Sequence, residues 1–207
     1  MSQSVVDNKP IRIGITGGIG AGKSIVTKIF STLGVPIYDA DSRAKALMNS
    51  DAELMFEIKN IFGEQAYVKG ELDRSYVAKR AFENKELLNR LNGVVHPAVG
   101  MDYASWVEAH QDASFTLKEA ALLFETGQYK DLDKIILIVA PEELRIKRVI
   151  ARDAHRTPAD VRSIIKNQLP EEAKINQADF IIRNDESQSL IAQSLKTYKA
   201  ILAEFGR

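Results

Sequence analysis

The 207-residue chain carries 28 lysines and arginines against 28 aspartates and glutamates, so its formal net charge is zero, and it has no cysteine. The neutral balance gives no support to a nucleic-acid partner, and the missing cysteines exclude disulfides, thiolate catalysis and cysteine-based zinc sites. With 45% hydrophobic residues and no apolar run near the roughly 18 residues that span a bilayer, the composition predicts a cytoplasmic globular protein with no membrane role, one domain carrying an inserted subdomain.

Residues 1–9 are polar and lack the apolar core of a secretory signal; they read as a loose lead-in. Ile11-Arg12-Ile13-Gly14-Ile15-Thr16 is apolar and β-branched enough for a buried strand. It runs into Gly17-Gly18-Ile19-Gly20-Ala21-Gly22-Lys23-Ser24, which fits G-x-x-x-x-G-K-[ST], the phosphate loop of NTP-using proteins. A helix follows, with Ile25, Ile29 and Leu33 four apart and Gly34 as its cap. Strand, loop and helix in that order are the context the motif requires. Gly18 and the N–H groups of Gly20, Ala21, Gly22, Lys23, Ser24 and Ile25 would wrap the phosphates. Lys23 would reach the β- and γ-phosphates, and Ser24 would hold Mg2+.

Val35-Pro36-Ile37-Tyr38 reads as a second strand, ending at Asp39-Ala40-Asp41. Residues 42 to about 110 read as mostly helical. Leu54, Ile58, Ile61 and Phe62 mark one amphipathic helix, Asp73 caps a second, and a third ends at His96-Pro97. Strands are expected within Phe115–Phe124, at Lys134–Val139 and at Ala178–Ile182, and a last helix carries Leu190, Leu195, Tyr198 and Ile201. Alternating strands and helices imply a five-stranded parallel sheet flanked by helices. The core is expected over 10–41 and 112–207, with 42–111 as an inserted acceptor-holding subdomain. Ligands of such sheets bind beyond the carboxyl ends of the strands, which groups Gly17–Ser24, Asp39–Asp41 and Glu125.

Asp39 and Asp41 stand at i and i+2, on one side of an extended segment. One carboxylate could take the proton of an attacking hydroxyl while the other helps hold Mg2+ through water; Asp41 would also serve as a plain helix cap. Arg145, Arg148 and Arg152 fall within roughly 60° of arc on a helix over 141–153. Such a stripe suits a transferring phosphoryl group, although a solvated basic face has the same pattern. Thr157 and Pro158 begin another helix, so 145–168 reads as a lid region. His96 before proline suits either a cap or a substrate contact. To this point the residues support a phosphoryl transferase with a lid; another acceptor, a nucleotide-dependent switch or a nucleic-acid-dependent ATPase are the rivals.

Gly14 to Ser24, Gly34-Val35-Pro36 and Asp39-Ala40-Asp41 closely resemble the start of bacterial dephospho-CoA kinases. The resemblance continues through Gly70 to Arg74, His96-Pro97, Leu122-Leu123-Phe124-Glu125, Arg148, Arg152-Asp153, Gln168, Ala178-Asp179 and Asn184. It implies a P-loop nucleoside or nucleotide kinase-like fold, with ATP as co-substrate and dephospho-CoA as the small-molecule acceptor, in a monomer-sized enzyme. It implies Asp41 as base, Arg148 and Arg152 as lid arginines, and Asn184 near the ATP base. It also implies His96, and Leu123 with Glu125, lining the acceptor site beside Asp39 and Asp41. The chain departs from the pattern at Ile25, where threonine is usual, in Glu119 to Leu123, which lacks the usual proline, and in the turn at Asp153 to Thr157.

Overall fold

The computed structural model describes residues 9–206; the expected lead-in lies outside them, apart from Lys9. The chain divides into two compact units, Met1–Tyr38 with His110–Arg207, and Asp39–Ala109. The expected insert, 42–111, differs from the second unit by a few residues at each end.

The first unit begins with β1 (Ile11–Gly17) and α1 (Lys23–Thr32), followed by the start of β2 (Ile37–Asp39). After the second unit come β5 (Phe115–Glu119), β6 (Lys134–Val139), α6 (Glu142–Arg152), α7 (Pro158–Asn167), α8 (Glu171–Ile175), β7 (Phe180–Arg183) and α9 (Leu190–Glu204). The five-stranded sheet has the order β2-β5-β1-β6-β7. β1 is paired in parallel on both edges, Ile13 with Leu117 on one side and Ile15 with Ile136 on the other. β6 is apolar through its last five residues because both of its faces are covered. On one face Ile13, Ile15, Ile136 and Ile138 pack with Phe30 of α1 and Ile201 of α9. On the other face Gly14 lets Leu123, Leu132 and Ile135 close over the strand, since a Cβ there would lie 2.6 Å from Leu123 Cδ2. The strand expected within Phe115–Phe124 is Phe115–Glu119, and the fifth is shifted from 178–182 to Phe180–Arg183.

The second unit holds α2 (Ala40–Ser50), α3 (Ala52–Phe62), β3 (Tyr67–Val68), β4 (Glu71–Leu72), α4 (Arg74–Glu83) and α5 (Lys85–Glu108). Asp73 caps α4 as expected, accepting from Tyr76 N–H at 2.9 Å. Two features differ from the reading of the sequence. The helix expected to end at His96-Pro97 continues through Pro97 to Glu108. A proline inside a helix costs about 3 kcal/mol, but Val95, Val99, Tyr103 and Val107, four apart, are all buried along α5. That continuous apolar stripe outweighs the broken turn. The other difference is the β3–β4 hairpin, whose tip, Lys69-Gly70, has φ of 53° and 87°. Two positive φ values are what a two-residue hairpin turn demands.

Candidate active site

β1 delivers the phosphate loop at the carboxyl end of the sheet. Gly22 takes φ 97°, ψ 28° and forms the N-cap of α1 with no side-chain cap. An L side chain is strained there, and a Cβ would run into the Asn184 amide. Lys23 Nζ donates to Gly17 O at 2.9 Å, which folds its side chain back over the loop. Ala21 and Ile25 N–H donate to Gly18 O and Gly22 O, at 3.0 and 3.2 Å. The first helix amides, on Lys23 and Ser24, therefore meet no capping side chain, and the positive end of the helix is open to an anion.

That end opens into a cavity of about 380 Å3 lined by Gly20, Gly22, Lys23, Ser24, Ile25, Glu119, Arg148 and Arg152. It brings together most of the residues singled out for nucleotide and transition-state contacts. Arg148 is held by Asn184, donating from Nη1 to the backbone O and from Nη2 to Oδ1, both at 3.1 Å. Asn184, 6% exposed, in turn donates from Nδ2 to Ala21 O at 2.8 Å. One buried side chain thus ties the loop to the arginine across from it. Arg152 is exposed and pairs with Asp153 through two bonds of 2.9 and 2.8 Å. That hydrogen bonding raises the Arg152 pKa and lowers that of Asp153. Thr157 and Asp160 cap α7 reciprocally, with Pro158 at the first helical position.

Arg145 diverges from this group. It shares the helical stripe but is buried, and its guanidinium lies against Gly18. The three Cα atoms share one stripe, but Asn184 draws Arg148 one way while Gly18 leaves room for Arg145 another way.

Glu125 accepts from Lys174 Nζ at 2.7 Å and from Leu169 N–H at 3.0 Å. Burial pushes its carboxyl up, yet the bonds from Lys174 and Leu169, with the lysine charge, leave it below the ordinary glutamate value. Leu123 is fully buried at Gly14. In the second unit Asp39 caps α2, accepting from Ser42 N–H at 3.0 Å and Ser42 Oγ at 2.6 Å. Asp41, in the first turn of α2, is therefore not the cap. It is exposed, and among the described residues its carboxylate makes no hydrogen bond or ion pair. His96 lies half-buried within α5.

The roles of three residues escaped the sequence reading. Glu119 ends β5 and lines the phosphate cavity; its place at the carboxyl end of a strand was the available signal. Gln168 Oε1 accepts from Ile19 N–H at 3.1 Å, and Lys174 is 3% exposed. Their partners lie 149 and 49 residues away (168 − 19 and 174 − 125), so no local pattern announces them. Among the described residues no three His, Asp or Glu side chains converge as a metal cluster, and no helix is long and apolar enough to cross a membrane.

Residues 11–189 match the family described as dephospho-CoA kinase. The chain belongs to the dephospho-CoA kinase family. A dephospho-CoA kinase of Bacteroides fragilis is 34% identical over 187 residues, 90% of each chain. Among solved structures, TT1252 from Thermus thermophilus is 35% identical with a TM-score of 0.84, over 94% of this chain and 98% of that one. A dephospho-CoA kinase from Campylobacter jejuni is 27% identical with a TM-score of 0.70, over 93% and 98%. The family's P-loop kinase fold is the five-stranded parallel sheet described above.

Proposed function

We infer that the chain transfers the γ-phosphoryl group of ATP to the ribose 3′-hydroxyl of dephospho-CoA, giving CoA and ADP, the last step of coenzyme A biosynthesis. The observation that carries this reading is the uncapped start of α1 opening into the Lys23–Ser24–Arg148 cavity, in a chain of this family. The loop amides would hold the β-phosphate, and Lys23 and Arg148 would neutralise the charge that develops on the transferring group. Asn184 fixes Arg148 before substrate arrives, so little reorganisation is left for the reaction itself. Arg152 would join by leaving Asp153.

Ser24 Oγ and the Glu119 carboxylate line one cavity and fit Mg2+, which takes oxygen ligands and keeps several waters. Held there with the nucleotide, Mg2+ would supply positive charge that offsets the charge of the phosphate oxygens. Asp41 is the base: its carboxylate is exposed and uncommitted while Asp39 does the capping, so it can accept the proton of the acceptor hydroxyl. His96 and Glu125 would contribute to the acceptor site. The enzyme would act as a cytoplasmic monomer.

ATP consumption should depend on added dephospho-CoA, and other nucleosides should not replace it; turnover without an acceptor would point to a nucleotide switch. Asp41→Asn should lower kcat by about 10²- to 10⁴-fold while ATP affinity stays the same. A near-normal rate would remove Asp41 from this role.

A further inference from the structure

A second cavity, of about 340 Å3, lies at the other end of the phosphate loop. It shares no lining residue with the first. Gly18, Arg145, Gln168 and Lys174 give its polar wall; Leu137, Pro141, Ile165 and Leu169 contribute to the apolar wall. Glu142 and Glu171 also line it. Glu142 is half-exposed, 3.8 Å from Arg162, and Glu171 is partly exposed.

Not every charge inside has a close partner. Lys174 is matched by Glu125. Arg145, 7% exposed, enters no ion pair among the described residues, and its wholly buried Nε has no hydrogen-bond partner. An arginine can hardly lose its proton to escape this. A buried cation without a partner is costly enough that proteins pair it or exchange it for an apolar side chain. Its survival here, facing a cavity of ligand size, calls for an anion from outside the chain.

We propose that the Arg145 cavity is a second anion site, separate from the Lys23–Ser24 cradle, and that it takes a phosphate oxyanion. The guanidinium fork supplies paired donors of the geometry phosphate accepts. The oxyanion is either part of the acceptor's diphosphate or a free phosphate ion. The proposal rests on the reading that ATP fills the other cavity.

The test is thermal melting of the full chain with the non-hydrolysable ATP analogue AMP-PNP and Mg2+, with inorganic phosphate as the probe. AMP-PNP alone should raise the melting temperature; if it does not, the ATP reading fails first. Phosphate added to the loaded protein should raise it by about a further 3 °C at tenfold excess over its Kd. Arg145→Met should abolish that second increment, and Arg145→Gln should weaken it. Without phosphate, Arg145→Met should melt no lower than the wild type, because it removes an unpaired buried charge. No second increment in the loaded wild type, or an equal one in Arg145→Met, overturns the proposal. So does a phosphate-free Arg145→Met that melts several degrees lower, since the guanidinium would then be compensated within the protein. Steady-state kinetics separate the sources. Phosphate competing with dephospho-CoA, with the acceptor KM raised about tenfold in Arg145→Met, identifies the acceptor's diphosphate. An unchanged acceptor KM identifies a free ion.

Discussion

The two ends of the phosphate loop are built for opposite purposes. From Gly22 to Ser24 the loop offers groups to a ligand: no side chain caps α1, and Ser24 and Ile25 are exposed. At Gly18 and Ile19 it is held from outside. Gln168 takes the Ile19 N–H, and the Ile19 side chain packs on Ile146, Val149 and Val161. Binding and shape are thus divided between neighbouring residues. The open end gains affinity only because the other end is rigid.

The sharpest way to break that division is to remove a support that lies away from the open end. Lys174→Met would leave the partly buried Glu125 carboxylate without its cation, at a cost of about 2–3 kcal/mol. The measurable result is a large fall in melting temperature. Lys23→Ala, at the open end, should do the reverse. It should cost about 3 kcal/mol of transition-state stabilisation, on the order of 100-fold in kcat, while the melting temperature stays close to that of the wild type. An unchanged turnover in this variant would contradict the assignment of the open end.

Gln168→Met sharpens the comparison at single-bond resolution. It keeps the side-chain volume but removes the acceptor of the Ile19 N–H. A lost hydrogen bond of this kind is worth about 1 kcal/mol, so the KM for ATP should rise about fivefold with kcat little changed. Gln168→Glu keeps the oxygen and should restore the wild-type KM. If both variants behave alike, Gln168 is a packing residue and the brace lies elsewhere.

This division also marks what a sequence can display. The open end was legible because its groups are contiguous: the glycines, Lys23 and Ser24 follow one strand and begin one helix. The parallel sheet was legible for a similar reason, since runs such as Ile135 to Val139 are apolar without alternation. The brace was not. Gln168, Lys174 and Asn184 meet the loop or Glu125 only through the fold. The resemblance to the kinase family brought Gln168 and Asn184 to notice without indicating that either holds the loop. The continuation of α5 past Pro97 was hidden for a different reason. A local rule favoured a stop, and burial of four residues along one stripe overrode it.

Acid should separate the two ends more gently. Glu125 accepts the N–H of Leu169, the residue after Gln168, so its ionisation supports the braced end directly. Its pKa lies below the ordinary value of 4.5 because the Lys174 and Leu169 contacts together outweigh burial, the largest single influence, which acts the other way. The folded protein therefore binds this proton less readily than the unfolded chain does. The resulting stability is complete above the unfolded value and fades as pH falls through the lower folded value. Between those two points the melting temperature of the wild type should decline with acidification. Glu125→Gln, less stable throughout, should lack that part of the decline, since it has no proton to take up. A variant whose melting curve runs parallel to the wild type over that interval would show that Glu125 is not the group through which acid reaches the loop.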